Sequence, residues 1–344
     1  MIRMSLVAGI ALAAAAPGVA ATDTPRPGKL KLFRDWIVAC DNAKGCEAAS
    51  LAPEEAMLQD VGLIVARDGA GGVTVRVRDM TGTAKAASVR VDGRTIASTP
   101  LDRDGEGEWQ GRSATALVAA IARGKRAALL TPRAHGVALN GAAAAFRYMD
   151  DRQGRAGTTS ALIARGGARY RGTPLALPVV RLVTPPPGPA PAIPTTAINE
   201  ARRRYGCVID DGSPFSADAH RLDRRSALVL MSCGAGAYNY LVKPLIWRDG
   251  RLRPAAFDYA YHFGDTPGPD EPETLVNVEW SRDGRLSSWG KGRGLGDCGD
   301  AQQFGWDGTR FRLLHAAQMT ECRGAIDTLT VWRTRAVSTP ATAR

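Results

Sequence analysis

The sequence predicts an α+β chain rich in β: two domains of mainly antiparallel sheet with a few short helices, joined by a Pro-rich linker. Three observations predict it. Short stretches alternate apolar and polar residues with the period of two that a half-buried strand requires. Asp-Gly dipeptides separate several of these stretches, where a tight hairpin needs positive φ. A proline-dense run divides the chain near its middle.

The start of the chain reads as an export signal over residues 1–21. Arg3 gives a positive beginning, an apolar run spans residues 6–16, and Val19, Ala20 and Ala21 offer a small-residue cleavage site near Ala21. The run is about half the length of a membrane span. A removed signal, a periplasmic protein and no transmembrane segment in the mature chain are therefore expected. The formal charge is +11, and losing Arg3 with the signal leaves +10. Such a charge favours anionic partners. Its Arg residues are scattered, with Arg202-Arg203-Arg204 as the one block, so no nucleic acid is expected. An envelope protein or an anionic envelope polymer is the expected partner.

The first domain is expected over residues 29–183. Asp35-Trp36-Ile37-Val38-Ala39-Cys40 forms a strand, Asp41-Asn42-Ala43-Lys44-Gly45 a turn, and Cys46-Glu47-Ala48-Ala49-Ser50-Leu51 the return. Val73-Thr74-Val75-Arg76-Val77-Arg78 alternates as a strand. Asp92-Gly93 closes a hairpin between Ser88-Val89-Arg90-Val91 and Arg94-Thr95-Ile96. Residues 115–123 place Leu117, Val118 and Ile121 on one helical face and stop at Gly124. Residues 127–131 form a strand, and residues 139–151 a second helix with Phe146 and Met149 three apart.

The linker, residues 184–196, has six prolines in thirteen residues, which excludes a helix interior or a central strand. The second domain follows over residues 197–335. It opens with a helix at 197–205 and an apolar strand at 227–233. Three hairpins then each carry a Trp and an Asp-Gly tip: Trp247 with Asp249-Gly250, Trp280 with Asp283-Gly284, and Trp306 with Asp307-Gly308. They are expected to form one antiparallel meander with the indoles inward. Residues 328–333 supply a last strand, and residues 336–344 a flexible tail.

Six cysteines in an exported chain predict structural disulfides. Of the 15 possible connectivities, Cys40–Cys46 avoids bridging the linker. Cys207–Cys233 and Cys298–Cys322 each close a loop of about 25 residues. There is no Cys-x-x-Cys pair, and no metal or cofactor is expected. His135, His220, His262 and His315 are isolated in sequence. His262, near Asp258 and Asp265, and His220, near Asp218 and Asp223, are the candidates for a general base. Asp150-Asp151 and Asp210-Asp211 read as solvated turn residues. In Gly290-Lys291-Gly292-Arg293-Gly294-Leu295-Gly296, the glycines bare amide groups and Lys291 and Arg293 add charge, an arrangement suited to an anion. No Gly-Lys-Ser/Thr follows it, so it is not a P-loop.

Asp35-Trp36, Cys40-Asp41-Asn42 and Cys46, with Gly296-Asp297-Cys298-Gly299, Trp306-Asp307-Gly308, Phe311-Arg312-Leu313 and Glu321-Cys322-Arg323-Gly324, resemble the exported six-cysteine bacterial family catalogued as domain of unknown function 1176. The resemblance covers nearly the whole mature chain and implies a framework without a reaction. The first domain is also similar to the invasion-associated locus B proteins. It shares the Trp36-to-Cys40 spacing, the Val91-Asp92-Gly93 hairpin, a Leu-bearing helix ending at Gly124, and Leu139-Asn140-Gly141 with Ala144 and Ala145. It lacks their second internal cysteine pair. This likeness implies an exported, envelope-associated protein that is not an enzyme. The function expected is a non-catalytic envelope-associated binding or interaction module. Its rival is an envelope hydrolase with an acid/His site in the second domain.

Overall fold

The computed structural model describes residues 24–340, apart from 57, 83, 132, 208–214 and 263. The expected export signal and the Asp210-Asp211 pair lie outside the described residues. Strands β1 (Lys31–Phe33), β2 (Trp36–Cys40), β3 (Cys46–Ser50), β4 (Val61–Arg67) and β5 (Val73–Asp79) are successive antiparallel neighbours. Asp41 shapes the β2–β3 turn: its Oδ1 accepts the amides of Ala43 and Gly45, each at 2.8 Å. Cys40 then faces Cys46 in register, and the two are disulfide-bonded.

Strands β6 (Ala86–Val91) and β7 (Arg94–Pro100) form the expected hairpin, with Asp92 at φ 48° and Gly93 at φ 82°. Strand β8 (Glu106–Gln110) completes the first sheet beside β5. Helix α1 (Gly111–Arg123) buries Ala114, Leu117, Val118 and Ile121, one helical stripe. Gly124 ends it with φ −70°, not a left-handed turn; an added Cβ there would lie 2.4 Å from Val91 Cγ1. Strands β9 (Ala127–Leu130) and β10 (Ala134–Val137) extend a second sheet in the order β10-β9-β6-β7. Helix α2 (Ala142–Arg152) packs Phe146 edge-on against Trp36, ring centres 5.2 Å apart. One expectation is overturned here. Asp150 is not a solvated turn residue: it lies in α2 with its side chain fully buried, where Arg67 meets it.

The central strands β2 to β4 of the first sheet are buried on both faces, which is why β2 reads as a continuous apolar run. Trp36, Val38, Leu63, Val65, Val75 and Val77 face the helices and the second sheet. Ile37, Ala39, Ala49, Leu51 and Ile64 face the other way, in a cluster with Leu286, Phe304, Phe311, Leu313, Leu329 and Val331. This second core draws on residues from both sides of the Pro-rich segment.

Strand β11 (Val179–Thr184) leads into that segment, and helix α3 (Thr195–Arg204) follows it, starting two residues before the expected position. Strands β12 (Ala217–Arg221), β13 (Ala227–Ala235), β14 (Tyr240–Arg248) and β15 (Arg251–Pro254) form one sheet, with β16 (Leu275–Val276) beside β14. Strands β17 (Glu279–Ser281), β18 (Arg285–Lys291), β19 (Gly299–Trp306), β20 (Phe311–Met319) and β21 (Leu329–Arg333) form another in chain order. The three Trp hairpins occur as expected but are divided between these two sheets, so the single meander is replaced by a pair. Trp247 and Trp306 are buried; Trp280 is only half-buried. Part of the expected tail, residues 336–340, is a strand. Strand β22 (Arg335–Pro340) pairs in parallel with β11, satisfying backbone groups that a loose tail would leave to water. Cys207–Cys233 and Cys298–Cys322 are bonded as expected.

Candidate functional site

Lys291 ends β18, and the glycine loop that follows lies against the β13–β14 connection. Asn239, buried in that connection, joins them: its Nδ2 donates to Lys291 O at 2.9 Å, and its Oδ1 accepts Lys291 N at 3.0 Å. Asn277 adds a second clamp, donating to Asn239 Oδ1 at 3.0 Å and to Trp289 O at 2.8 Å while accepting Tyr240 N at 2.9 Å. The Tyr238 hydroxyl donates to Gly292 O. At the loop's base, Gly292 N bonds Cys298 O at 2.8 Å, next to the Cys298–Cys322 bridge.

This scaffold holds apolar side chains out in water. Trp289 is 41 % exposed, Tyr240 67 % and Leu295 60 %, and Tyr238 stands beside them. Scattered exposed apolar residues are ordinary. Four on two hydrogen-bonded strand–loop segments, Tyr238 with Tyr240 and Trp289 with Leu295, make a platform. Lys291 Nζ lies 5.0 Å from the Trp289 ring centre, a cation–π distance.

The two expected anion-binding side chains have different situations. Lys291 is in the platform. Arg293 forms a two-pronged pair with Asp297, Nε to Oδ1 at 2.7 Å and Nη2 to Oδ2 at 2.5 Å. That bond raises the Arg293 pKa. Burial acting alone would raise Asp297, but the bonds from Arg293 and Gly324 N outweigh it and hold the carboxylate below its ordinary value. Arg293 thus braces the loop against the Cys322 segment.

The histidines separate in the same way. His262 Nδ1 lies 3.4 Å from Glu273 Oε2, and its Nε2 is 3.1 Å from Thr266 Oγ1. The acid it meets is neither of the expected ones: Asp258 instead binds Arg312 Nε at 2.6 Å and Leu313 N at 2.8 Å. Burial pushes Glu273 up, opposed by His262 and Lys243. His220 stacks on Trp280 with ring centres 5.8 Å apart, and burial lowers its pKa against the pull of Asp218. Asp223 is engaged with Arg248. His135 reaches Asp60 at 3.2 Å. Among the described residues, no three or more His, Cys, Asp or Glu side chains form a group that could hold a metal ion. Among them, too, no helix is long and apolar enough to cross a membrane.

The loop glycines and Lys291 are visible in the sequence; the rest of the platform is not. Tyr238-Asn239-Tyr240, following Gly234-Ala235-Gly236-Ala237 and running into β14, is a local signal, but exposure depends on which loop lies opposite.

Fold and surface together define a β-rich, three-disulfide α+β protein with a preformed aromatic face. The family model described as "Protein of unknown function (DUF1176)" matches residues 30–337, and the chain belongs to that family. It is 28% identical over 335 residues to the uncharacterized protein YpfG of Escherichia coli (strain K12), covering 89% of this chain and 93% of that protein. The crystal structure of invasion associated protein b from Bartonella henselae aligns with a TM-score of 0.30 at 18% identity, over 37% of this chain and 99% of that one.

Proposed function

We propose that this chain is an exported, non-catalytic binding module of the envelope, resting on an anionic lipid surface through the Tyr238/Tyr240/Trp289/Leu295 platform. One observation carries the reading: a buried Asn239 network keeps four large apolar side chains in water beside Lys291. Aromatic rings with polar tips suit the boundary between headgroups and acyl chains. Leu295 adds a purely apolar contact, and Lys291 would contribute about 1 kcal/mol near an anionic leaflet. Leu295 favours lipid over a hydrated anionic polymer.

Cosedimentation of the mature protein with phosphatidylglycerol and with phosphatidylcholine vesicles tests this. The anionic vesicles are expected to retain it, and Trp289→Ala with Leu295→Ser to weaken retention about tenfold, a change of about 1.4 kcal/mol. Lys291→Ala should matter at low salt and fade as salt rises. Equal retention of the wild type and the double variant would sink the reading. Retention on an anionic polymer but not on vesicles would transfer the site to that partner.

A second reading, an envelope hydrolase, draws on the His262–Glu273 pair and on Glu273 Oε2, which is buried with no hydrogen-bond partner. Hydrolysis of an ester or glycoside substrate that disappears in His262→Ala would establish it. Activity that survives this substitution would remove it.

A further inference from the structure

A cleft lies beneath the Pro-rich segment. Residues 185–190 form one wall, β12 contributes His220 and Arg221, and the β17 hairpin contributes Trp280 and Arg282, around a volume of ≈ 540 Å³. That is within the usual range for a small-molecule site. We infer that this cleft is a binding site for a short acidic sugar, one whose ring carries a carboxylate or a phosphate.

The cleft is preformed. Before the wall, β11 is fixed by β22; after it, Ala190 and Ile193 pack into the core beside α3. Pro185 presses on the Asp283-Gly284 turn so closely that a Cβ at Gly284 would lie 2.8 Å from Pro185 Cδ and 3.2 Å from Val183 O. The opposite wall is braced as well, since Trp280 backs edge-on against the buried Phe311 ring at 6.2 Å.

Its chemistry is one-sided. Among the described residues, no carboxylate lines it. Of the nearby acids, Asp223 is engaged with Arg248, Asp249 with Arg225 and Asp283 with Arg285, while Asp218 acts on His220 from the same strand. Among the described residues, Arg221 and Arg282 have no ion pair. Arg221 Nη1 reaches Pro187 O at 3.4 Å, while its Nε is buried with no hydrogen-bond partner. Two guanidinium groups therefore offer donors to an anion.

The proline wall offers the complement. Pro185, Pro186, Pro187 and Pro189 have carbonyls but no amide N–H. An extended peptide cannot add to such a wall as a strand, because the ladder needs both donors and acceptors. A sugar can use it: hydroxyls donate to the carbonyls, C–H faces lie on proline rings and the Trp280 edge, and the anionic group meets the arginines.

Titration of the mature protein with a glucuronate-containing disaccharide, with glucose 1-phosphate and with maltose tests the assignment, with NMR of the Trp indole N–H signals locating the site. At least one acidic sugar is expected to bind about tenfold or more tighter than maltose and to shift the Trp280 signal. Arg282→Gln, in an exposed turn where folding should tolerate it, is expected to weaken that binding about tenfold. The preferred sugar separates a carboxylate from a phosphate ligand. Absence of binding by both acidic sugars, equal binding of maltose, or unchanged affinity in Arg282→Gln would each overturn the assignment. So would a shift at Trp289 with none at Trp280.

Discussion

Arg67 and Asp150 meet 2.7 Å apart with 1% and 0% of their side chains exposed, an ion pair sealed between β4 and α2. Neither charge is left with bare polar atoms. The Arg67 Nε donates to Gln153, whose own amide donates to Lys44 O at 2.6 Å and Arg67 O at 3.0 Å. The Asp150 carboxylate accepts the amides of Leu162, Ile163 and Ala164 at 2.7, 3.0 and 3.0 Å. Burial lowers the Arg67 pKa, and the bond from Asp150 opposes it.

Removing one partner strands the other charge. Asp150→Ala is expected to cost about 3–5 kcal/mol of stability, read from urea unfolding followed by circular dichroism. The paired change Arg67→Met with Asp150→Leu should cost clearly less, since no unpaired charge remains. A single variant as stable as wild type would contradict this account.

The bridges should differ in value with the loops they close. Cys298–Cys322 spans 24 positions and Cys40–Cys46 only 6. Restricting the unfolded chain favours the longer loop, about 3.5 against about 2.4 kcal/mol. Double Ser variants of each pair, compared by urea midpoint, should rank in that order.

Asp300 gives a pH signature. Burial pushes its carboxyl from 3.8 up to about 6, with a weak bond from Gln302 acting the other way. The folded state therefore binds the extra proton between those values. Stability from this group is greatest below about pH 4 and is lost as pH rises towards about 6. Asp300→Asn is expected to raise the unfolding free energy at pH 7.5 by about 3 kcal/mol and to change little at pH 4. A gain of equal size at both pH values would point away from ionisation.

The boundary expected at residues 184–196 can be tested by expressing residues 24–184 alone. Their second apolar face, Ile37, Ala49, Leu51 and Ile64, then lacks Leu286, Phe304 and Leu329. Arg323 would also be missing from the Asp35 carboxylate and from Ala52 O, as would Arg333 from Asp41. The fragment is expected to bind a hydrophobic dye and to melt well below the full chain. A fragment as stable as the full chain would show that this face needs no cover.

Local chemistry was legible where it is decided locally. Asp92-Gly93 and Asp249-Gly250 mark their turns because the backbone there needs positive φ. The Leu117–Ile121 stripe marks α1. Strand β4 was not, because Val61-Gly62-Leu63-Ile64-Val65 is covered on both faces and shows no alternation. Asp150 was misread because its partners lie at Arg67 and at residues 162–164, beyond any local window. The platform escaped for the same reason: Lys291 is visible in sequence, but the exposure of Trp289 depends on Asn239 and Asn277. At β22, Arg335-Ala336-Val337 carries too little pattern to announce a strand, and its parallel partner lies more than 150 positions earlier.

That pairing governs the order in which the chain can fold. The amide of Gly28 bonds Val331 O, and β11 pairs with β22, so contacts made by earlier parts of the chain wait for residues 331–340. Contacts so distant in sequence slow the search for the native state. Until residues 329–331 arrive, Ile37, Leu51 and Ile64 lack the Leu329 and Val331 part of their cover, and that apolar face stays partly open. Slow refolding, and aggregation that falls as the protein is diluted, are the kinetic consequences of placing the closing strand at the end.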